Sequence, residues 1–216
     1  MVKSGTTYTE IVLHSFTESG GDGYRPNAEL IMDSSGNLYG TTLQGGANTS
    51  GQGDYGTVFE LAAPLRTSMP DIVLYSFAAD GAYPYSGVIM DSRGNLYGTT
   101  SSGGTYGYGD VFELAAPLRA GMGVVVLHEF SGQTDAGYPD GALIMDGSGN
   151  LYGTSAGGGA GAGTVFELVN NSGSYTEKIL KYFNQDCGGD GSWPRGRLDD
   201  GFIGQSLRDD YCGGLQ

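Results

Sequence analysis

Short apolar runs recur along this chain in a fixed order of four. The first run of each set stands at residues 11–16, 72–77, 124–130 and 179–183, and the second at 30–32, 88–90 and 143–145. The third stands at 37–42, 95–100 and 150–155, and the fourth at 57–61, 110–114 and 164–168. These runs are rich in Val, Ile, Leu, Phe, Tyr and Thr, the side chains that suit a pleated surface, and Gly, Asp, Ser or Pro bounds them. Apolar residues nowhere keep a 3.6-residue period for three turns, so no substantial helix is expected. Between the second and third runs an Asp is followed by Ser-Ser-Gly, Ser-Arg-Gly or Gly-Ser-Gly. That composition predicts a hairpin: the Asp caps the turn and the Gly takes the positive φ.

The runs sit inside a longer repeated phrase: Ile-Met-Asp, two variable residues, then Gly-Asn-Leu-Tyr-Gly-Thr. Copies span residues 10–66, 71–119 and 124–170, after a lead at 1–9, and a partial fourth copy spans 176–195. A length difference is concentrated in the Gly-rich loop at 47–55, and surface connections tolerate such changes. Repetition at this period means one supersecondary unit copied several times, none of which buries its apolar face alone. Four short strands per copy is the size of a propeller blade. The expected fold is therefore all-β, an incomplete β-propeller-like array of about three four-stranded blades plus a fraction of a fourth. A β-solenoid is the second all-β candidate. Open blade edges predict that the chain self-associates, or is a marginally stable piece of a larger ring.

The pattern stops after Pro194. One choice of codons for residues 196–215, read one base further on, gives Ala-Gly-Leu-Met-Met-Asp-Ser-Ser-Gly-Asn-Leu-Tyr-Gly-Thr-Thr, which follows residues 28–42 closely. The expectation is a one-base slip of the reading frame near residues 195–197, which leaves 196–216 as an aberrant tail.

Composition narrows the function. The chain has 216 residues and a formal charge of −14. Such an acidic surface argues against nucleic acid and against anionic membranes, both of which want basic patches. No apolar run is long enough to span a bilayer, and residues 1–7 contain no apolar signal core. Gly accounts for 41 residues, phased with the repeat instead of spread as a linker. Cys187 falls in the fourth copy and Cys212 in the tail, so an evolved disulfide between them is not expected.

The phrase at residues 36–41, with Gly45, Gly46 and the run at 56–59, recurs at 94–99 with Gly103, Gly104 and 110–112. It recurs again at 149–154 with Gly157, Gly158 and 163–166. Over residues 10–195 this resembles the GloVer-type tandem repeat of bacterial, mostly exported proteins. The resemblance implies a propeller-like surface array in an extracellular or periplasmic setting, and carries no agreed activity or catalytic residues. The Asp-x-x-Gly-Asn-Leu-Tyr hairpin is also similar to that of gluconolactonase- and NHL-type propellers. Some of those bind Ca²⁺ and hydrolyse lactones, which is a likeness of fold.

Three sets of residues could carry chemistry. Asp33, Asp91 and Asp146, with Asn37, Asn95 and Asn150, offer hard oxygen donors suited to Ca²⁺ if they converge. Alternatively, each pair closes its own turn. His14 and His128 occupy equivalent positions in the first runs, where the other copies have Tyr75 and Lys181. A histidine beside a carboxylate or a metal-bound water could act as a general base; the variation to Tyr and Lys points instead to a tolerant half-buried position. Tyr55, Tyr83, Tyr85, Tyr106, Tyr108 and Tyr138 lie in loops with Gly and Asp, where aromatic faces can stack on sugar rings or fold back over a blade. No Cys/His metal spacing or phosphate loop is present. The expected function is a ligand-binding module, for carbohydrate or another small molecule. The alternative is a Ca²⁺-dependent hydrolase of the lactonase type, and a structural spacer is a third reading.

Overall fold

The computed structural model describes residues 2–4, 7–17, 21–47, 55–78, 81–158 and 162–183. Among these the chain is all-β, with three four-stranded antiparallel sheets and no helix. The tail at 196–216, residues 184–195, the loop at 48–54 and Asp80 lie outside the described residues.

Blade 1 orders Ile31–Met32, Leu38–Thr42, Thr57–Leu61 and Ile72–Ser76 from one edge to the other. Blade 2 repeats this with Ile89–Met90, Leu96–Thr100, Asp110–Leu114 and Val125–Glu129. Blade 3 uses Ile144–Met145, Leu151–Ser155, Thr164–Asn171 and Ser174–Tyr182. The second, third and fourth runs of each copy therefore form three strands of one blade, and the first run of the following copy supplies the outer strand. Blade and sequence repeat are out of phase by one strand. The opening run of the fourth copy completes blade 3 and begins no blade of its own. The first run of the first copy, residues 11–16, is not a strand. It packs Leu13 and Phe16 on Phe59 and Leu61 of blade 1. This is the place that Leu74 and Phe77 take against blade 2.

The core lies between blades. Along each inner strand the alternation of side chains puts Tyr39 on one face and Leu38 on the other. Tyr39 and Val58 of blade 1 pack with Leu96, Phe112 and Leu114 of blade 2. Tyr97 and Val111 of blade 2 pack in the same way with Leu151, Phe166 and Leu168 of blade 3. One face of each blade thus meets the opposite face of the next, which makes the array propeller-like and open. Phe59, Phe112 and Phe166 are almost completely buried. Each receives an edge-on phenylalanine from the preceding run: Phe16 at 4.9 Å, Phe77 at 5.2 Å and Phe130 at 5.1 Å between centroids.

The glycine inside the repeated phrase has a packing reason. A Cβ on Gly40, Gly98 or Gly153 would lie 2.8, 2.6 or 2.4 Å from Cζ of Phe59, Phe112 or Phe166. The rings lie across the neighbouring strand where only hydrogen leaves room. The outer strand pairs with a register shift at the same point in every blade, after Val58, Val111 and Val165. Such a bulge turns the residues beyond it, and here it sets Tyr75, His128 and Lys181 opposite those valines.

Candidate functional site

The hairpins come first because they recur three times. In the first, Asp33 Oδ1 accepts the backbone N–H groups of Ser35 (2.8 Å) and Asn37 (2.9 Å). Its Oδ2 accepts Asn37 Nδ2 (2.9 Å) and the Tyr39 hydroxyl (3.1 Å). Asn37 Oδ1 accepts the N–H of Ala63, tying the turn to the end of the third strand. Asp91 makes the same four contacts with Arg93, Asn95 and Tyr97. Asp146 makes them with Ser148, Asn150 and Tyr152. Burial pushes the Asp33 and Asp146 carboxyls up, but the hydrogen bonds from Asn and Ser outweigh it and hold both below the ordinary range. Burial pushes the Tyr39 and Tyr152 hydroxyls up to about 12, so they remain donors.

Of the six residues nominated for Ca²⁺, every Asp and Asn is engaged in its own turn. The three pairs stand in three successive blades. Asp91 and Asp146 border one cleft of about 460 Å³ between blades 2 and 3, with Arg93 and Tyr175 beside them.

The two histidines occupy a different environment. His14 donates Nδ1–H to the carbonyl oxygen of Met69 at 2.9 Å, since a carbonyl can only accept. Its Nε2 lies 3.4 Å from Asp22 Oδ2 and 3.9 Å from Asp71 Oδ1. His128 Nε2 lies 3.6 Å from Glu177 Oε2, with Asp135 in the same cluster. Both rings stand edge-on to the phenylalanine two residues on, Phe16 and Phe130. Asp22 Oδ2 is steadied by Thr17 N–H at 2.7 Å. Asp135 is steadied by Ser131 through both N–H (2.7 Å) and hydroxyl (2.6 Å). Glu177 Oε1 accepts Ala136 N–H at 3.0 Å, a bond from one blade's loop to the next blade's outer strand. Burial first, and the charge of Asp22 second, raise the Asp71 carboxyl. The first cluster opens on a cavity of about 680 Å³ lined by Tyr75, Val73, Pro70 and Met122 among others.

Asp22, Asp71, Asp135 and Glu177 were not among the residues nominated from sequence. Asp22 and Asp135 each stand four residues before a loop proline, Pro26 and Pro139, and that periodic placement was the available signal. Asp71 and Glu177 come from the following copy, so only the offset between repeat and blade brings them to the histidines.

Four of the nominated tyrosines pair, and three of the six are exposed, Tyr138 being both. Tyr55 and Tyr83 pack on each other with centroids 6.1 Å apart, and Tyr108 and Tyr138 do so at 5.1 Å. Tyr83 N–H donates to Tyr55 O, and Tyr138 N–H to Tyr108 O, so each pair straddles consecutive copies. Tyr85, Tyr106 and Tyr138 remain exposed, by 47%, 57% and 42%. Tyr85 borders a small cleft of about 210 Å³ with Asn27, Glu29 and Asp140.

Comparison with curated proteins returns no match. The family described as the Gloeobacter/Verrucomicrobia repeat matches twice, over residues 1–117 and 49–204. Together these matches cover most of the chain and contain all three blades, so the chain belongs to the Gloeobacter/Verrucomicrobia repeat family.

Proposed function

We propose that this repeat array is a non-catalytic ligand-binding module whose ligand is a carbohydrate. The supporting observation is the cleft in which the exposed ring of Tyr85 stands beside Asn27, Glu29 and Asp140. A flat apolar face with carboxylate and amide groups at its edge is the chemistry that takes a sugar ring: stacking against C–H groups, hydrogen bonding to hydroxyls. At about 210 Å³ the cleft suits one ring unit of a longer glycan. Tyr106 and Tyr138 offer further exposed aromatic surface.

Affinity electrophoresis through a panel of soluble polysaccharides tests this reading. The expected result is retardation by at least one glycan, weakened by Tyr85→Ala and left unchanged by EDTA. Free migration in every gel, or equal retardation of Tyr85→Ala, would count against it.

A second reading, a metal-dependent hydrolase of the lactonase type, is favoured by one observation. His14, Asp22 and Asp71 all border the 680 Å³ cavity, where a base and a small substrate could meet. Lactone hydrolysis abolished by chelator and restored by Ca²⁺ would replace the binding reading; no turnover under either condition removes the hydrolase.

A further inference from the structure

We infer that the two histidine clusters are binding sites for a divalent transition-metal ion, with Zn²⁺ as the reference, each clasping consecutive copies of the repeat. His14, Asp22 and Asp71 form the first site, and His128, Asp135 and Glu177 the second.

Met69 O fixes the proton of His14 on Nδ1, so in the neutral ring Nε2 presents a lone pair. That lone pair faces two carboxylate oxygens at 3.4 and 3.9 Å. Acceptors that converge on one point repel one another unless a proton or a cation stands among them, and a cation reverses the sign for all three at once. His14 Nε2, Asp22 Oδ1, Asp71 Oδ2 and His128 Nε2 are all buried and make no hydrogen bond. Buried polar atoms in that condition call for a partner.

The donor atoms of each trio lie within 4.8 Å of one another. Two donors bound at tetrahedral angles to Zn²⁺, each at about 2.0–2.1 Å, stand about 3.3–3.5 Å apart. The observed 3.4 Å matches that separation, and 3.6 and 3.9 Å are somewhat wider; all three are long for a charge-assisted hydrogen bond, which closes to about 2.7–2.9 Å. A His with its second nitrogen on a backbone carbonyl is also the usual second-shell arrangement for a metal ligand. One imidazole with two carboxylates favours Zn²⁺ over Ca²⁺, which prefers oxygen alone. Three protein donors leave the remaining position to water, which at the first site faces the 680 Å³ cavity.

The trio is built from one position in the first run, one in the loop after it, and one four residues before the corresponding position of the next copy. At the junction of copies 1 and 2 these are His14, Asp22 and Asp71; at the junction of copies 3 and 4 they are His128, Asp135 and Glu177. At the junction of copies 2 and 3 the histidine is replaced by Tyr75 and the distant acid by Val124. Both of these pack against the apolar core between blades 1 and 2. His and acid are kept together twice and lost together once, as expected of parts of one site. A tolerant position would not couple the two changes.

The test uses the full chain, stripped with EDTA, desalted and titrated with Zn²⁺ by calorimetry, with bound metal counted by elemental analysis. Two Zn²⁺ per chain are expected, one in His14→Gln and one in His128→Gln, and none above background in the double variant. Circular dichroism confirms that each variant retains its sheets. Asp71→Asn and Glu177→Gln supply the second route to the same losses. Uptake of no Zn²⁺ by the parent chain overturns the inference. So does uptake that survives the double His substitution, as it would if the cysteines or surface carboxylates were the ligands.

Discussion

The ring of Phe130 meets the ring of Phe166 edge-on, with centroids 5.1 Å apart and planes inclined by 60°. Phe130 closes the outer strand of blade 2 and Phe166 lies within blade 3, so this contact joins two sheets that share no ladder hydrogen bonds. Phe77 and Phe112 repeat it between blades 1 and 2. The blades therefore stand together through apolar contact between faces, supplemented by loop hydrogen bonds such as Tyr83 N–H to Tyr55 O.

Truncating one of these rings should loosen a whole junction. Phe112→Ala removes a side chain that is 1% exposed, and a cavity of that kind costs about 3–5 kcal/mol. Urea unfolding followed by tryptophan-independent far-ultraviolet dichroism should show the midpoint falling sharply. A shift as small as that of a surface substitution would mean that the junctions do not hold the array.

Gly98→Ala should destabilise by overpacking, because the added carbon would lie 2.6 Å from Phe112 Cζ. The expected cost is about 1–3 kcal/mol. Adding Phe112→Leu should recover part of it, so the two changes should be non-additive in a double-mutant cycle. Strict additivity would place the cost in backbone conformation instead.

Asn95→Ala removes the amide donor to Asp91 Oδ2 and the acceptor for Ala116 N–H, both 2.9 Å contacts. Loss of these two bonds, the first half-buried and the second exposed, should cost about 1–2 kcal/mol. Hydrogen exchange should speed up at Ala116 and around the turn while the core strands stay protected.

Acid should weaken the hairpins. The Asp146 carboxyl is held below its ordinary 3.8, burial raising it but bonds from Asn150 and Ser148 prevailing. A depressed carboxyl contributes stability that is complete above the unfolded value and disappears as pH falls through the lower folded value. Between pH 5 and pH 2.5 the urea midpoint of the parent chain should fall more steeply than that of Asp146→Asn. Parallel curves would show that this carboxylate contributes nothing through its charge.

The missing middle site should be constructible. Tyr75→His together with Val124→Asp restores the histidine and the distant acid of the other two junctions. Zinc stoichiometry by elemental analysis should rise from two to three.

Much of the architecture was legible because it is locally encoded. The Asp, Gly and Asn of each turn act within six residues of one another, so spacing alone predicted three hairpins, and the hydrogen bonds of Asp33, Asp91 and Asp146 have the turn-closing form. The strand expected at residues 11–16 did not form, although its sequence matches its counterparts. A strand needs a ladder partner, and in every other copy that partner belongs to the preceding blade. The Tyr pairs across copies were invisible for the same reason: Tyr55 and Tyr83 meet through a contact between loops of different repeats.

By itself the sequence determined the repeat, its all-β character and the turn chemistry, since each depends on residues that are neighbours along the chain. Only the tertiary structure decided that the outer strand of every blade is lent by the following copy. That one-strand offset carries Asp71 to His14 and Glu177 to His128. Proximity between such residues is set by how the sheet faces stack, which depends on the shape and burial of the phenylalanines between them and not on any local spacing.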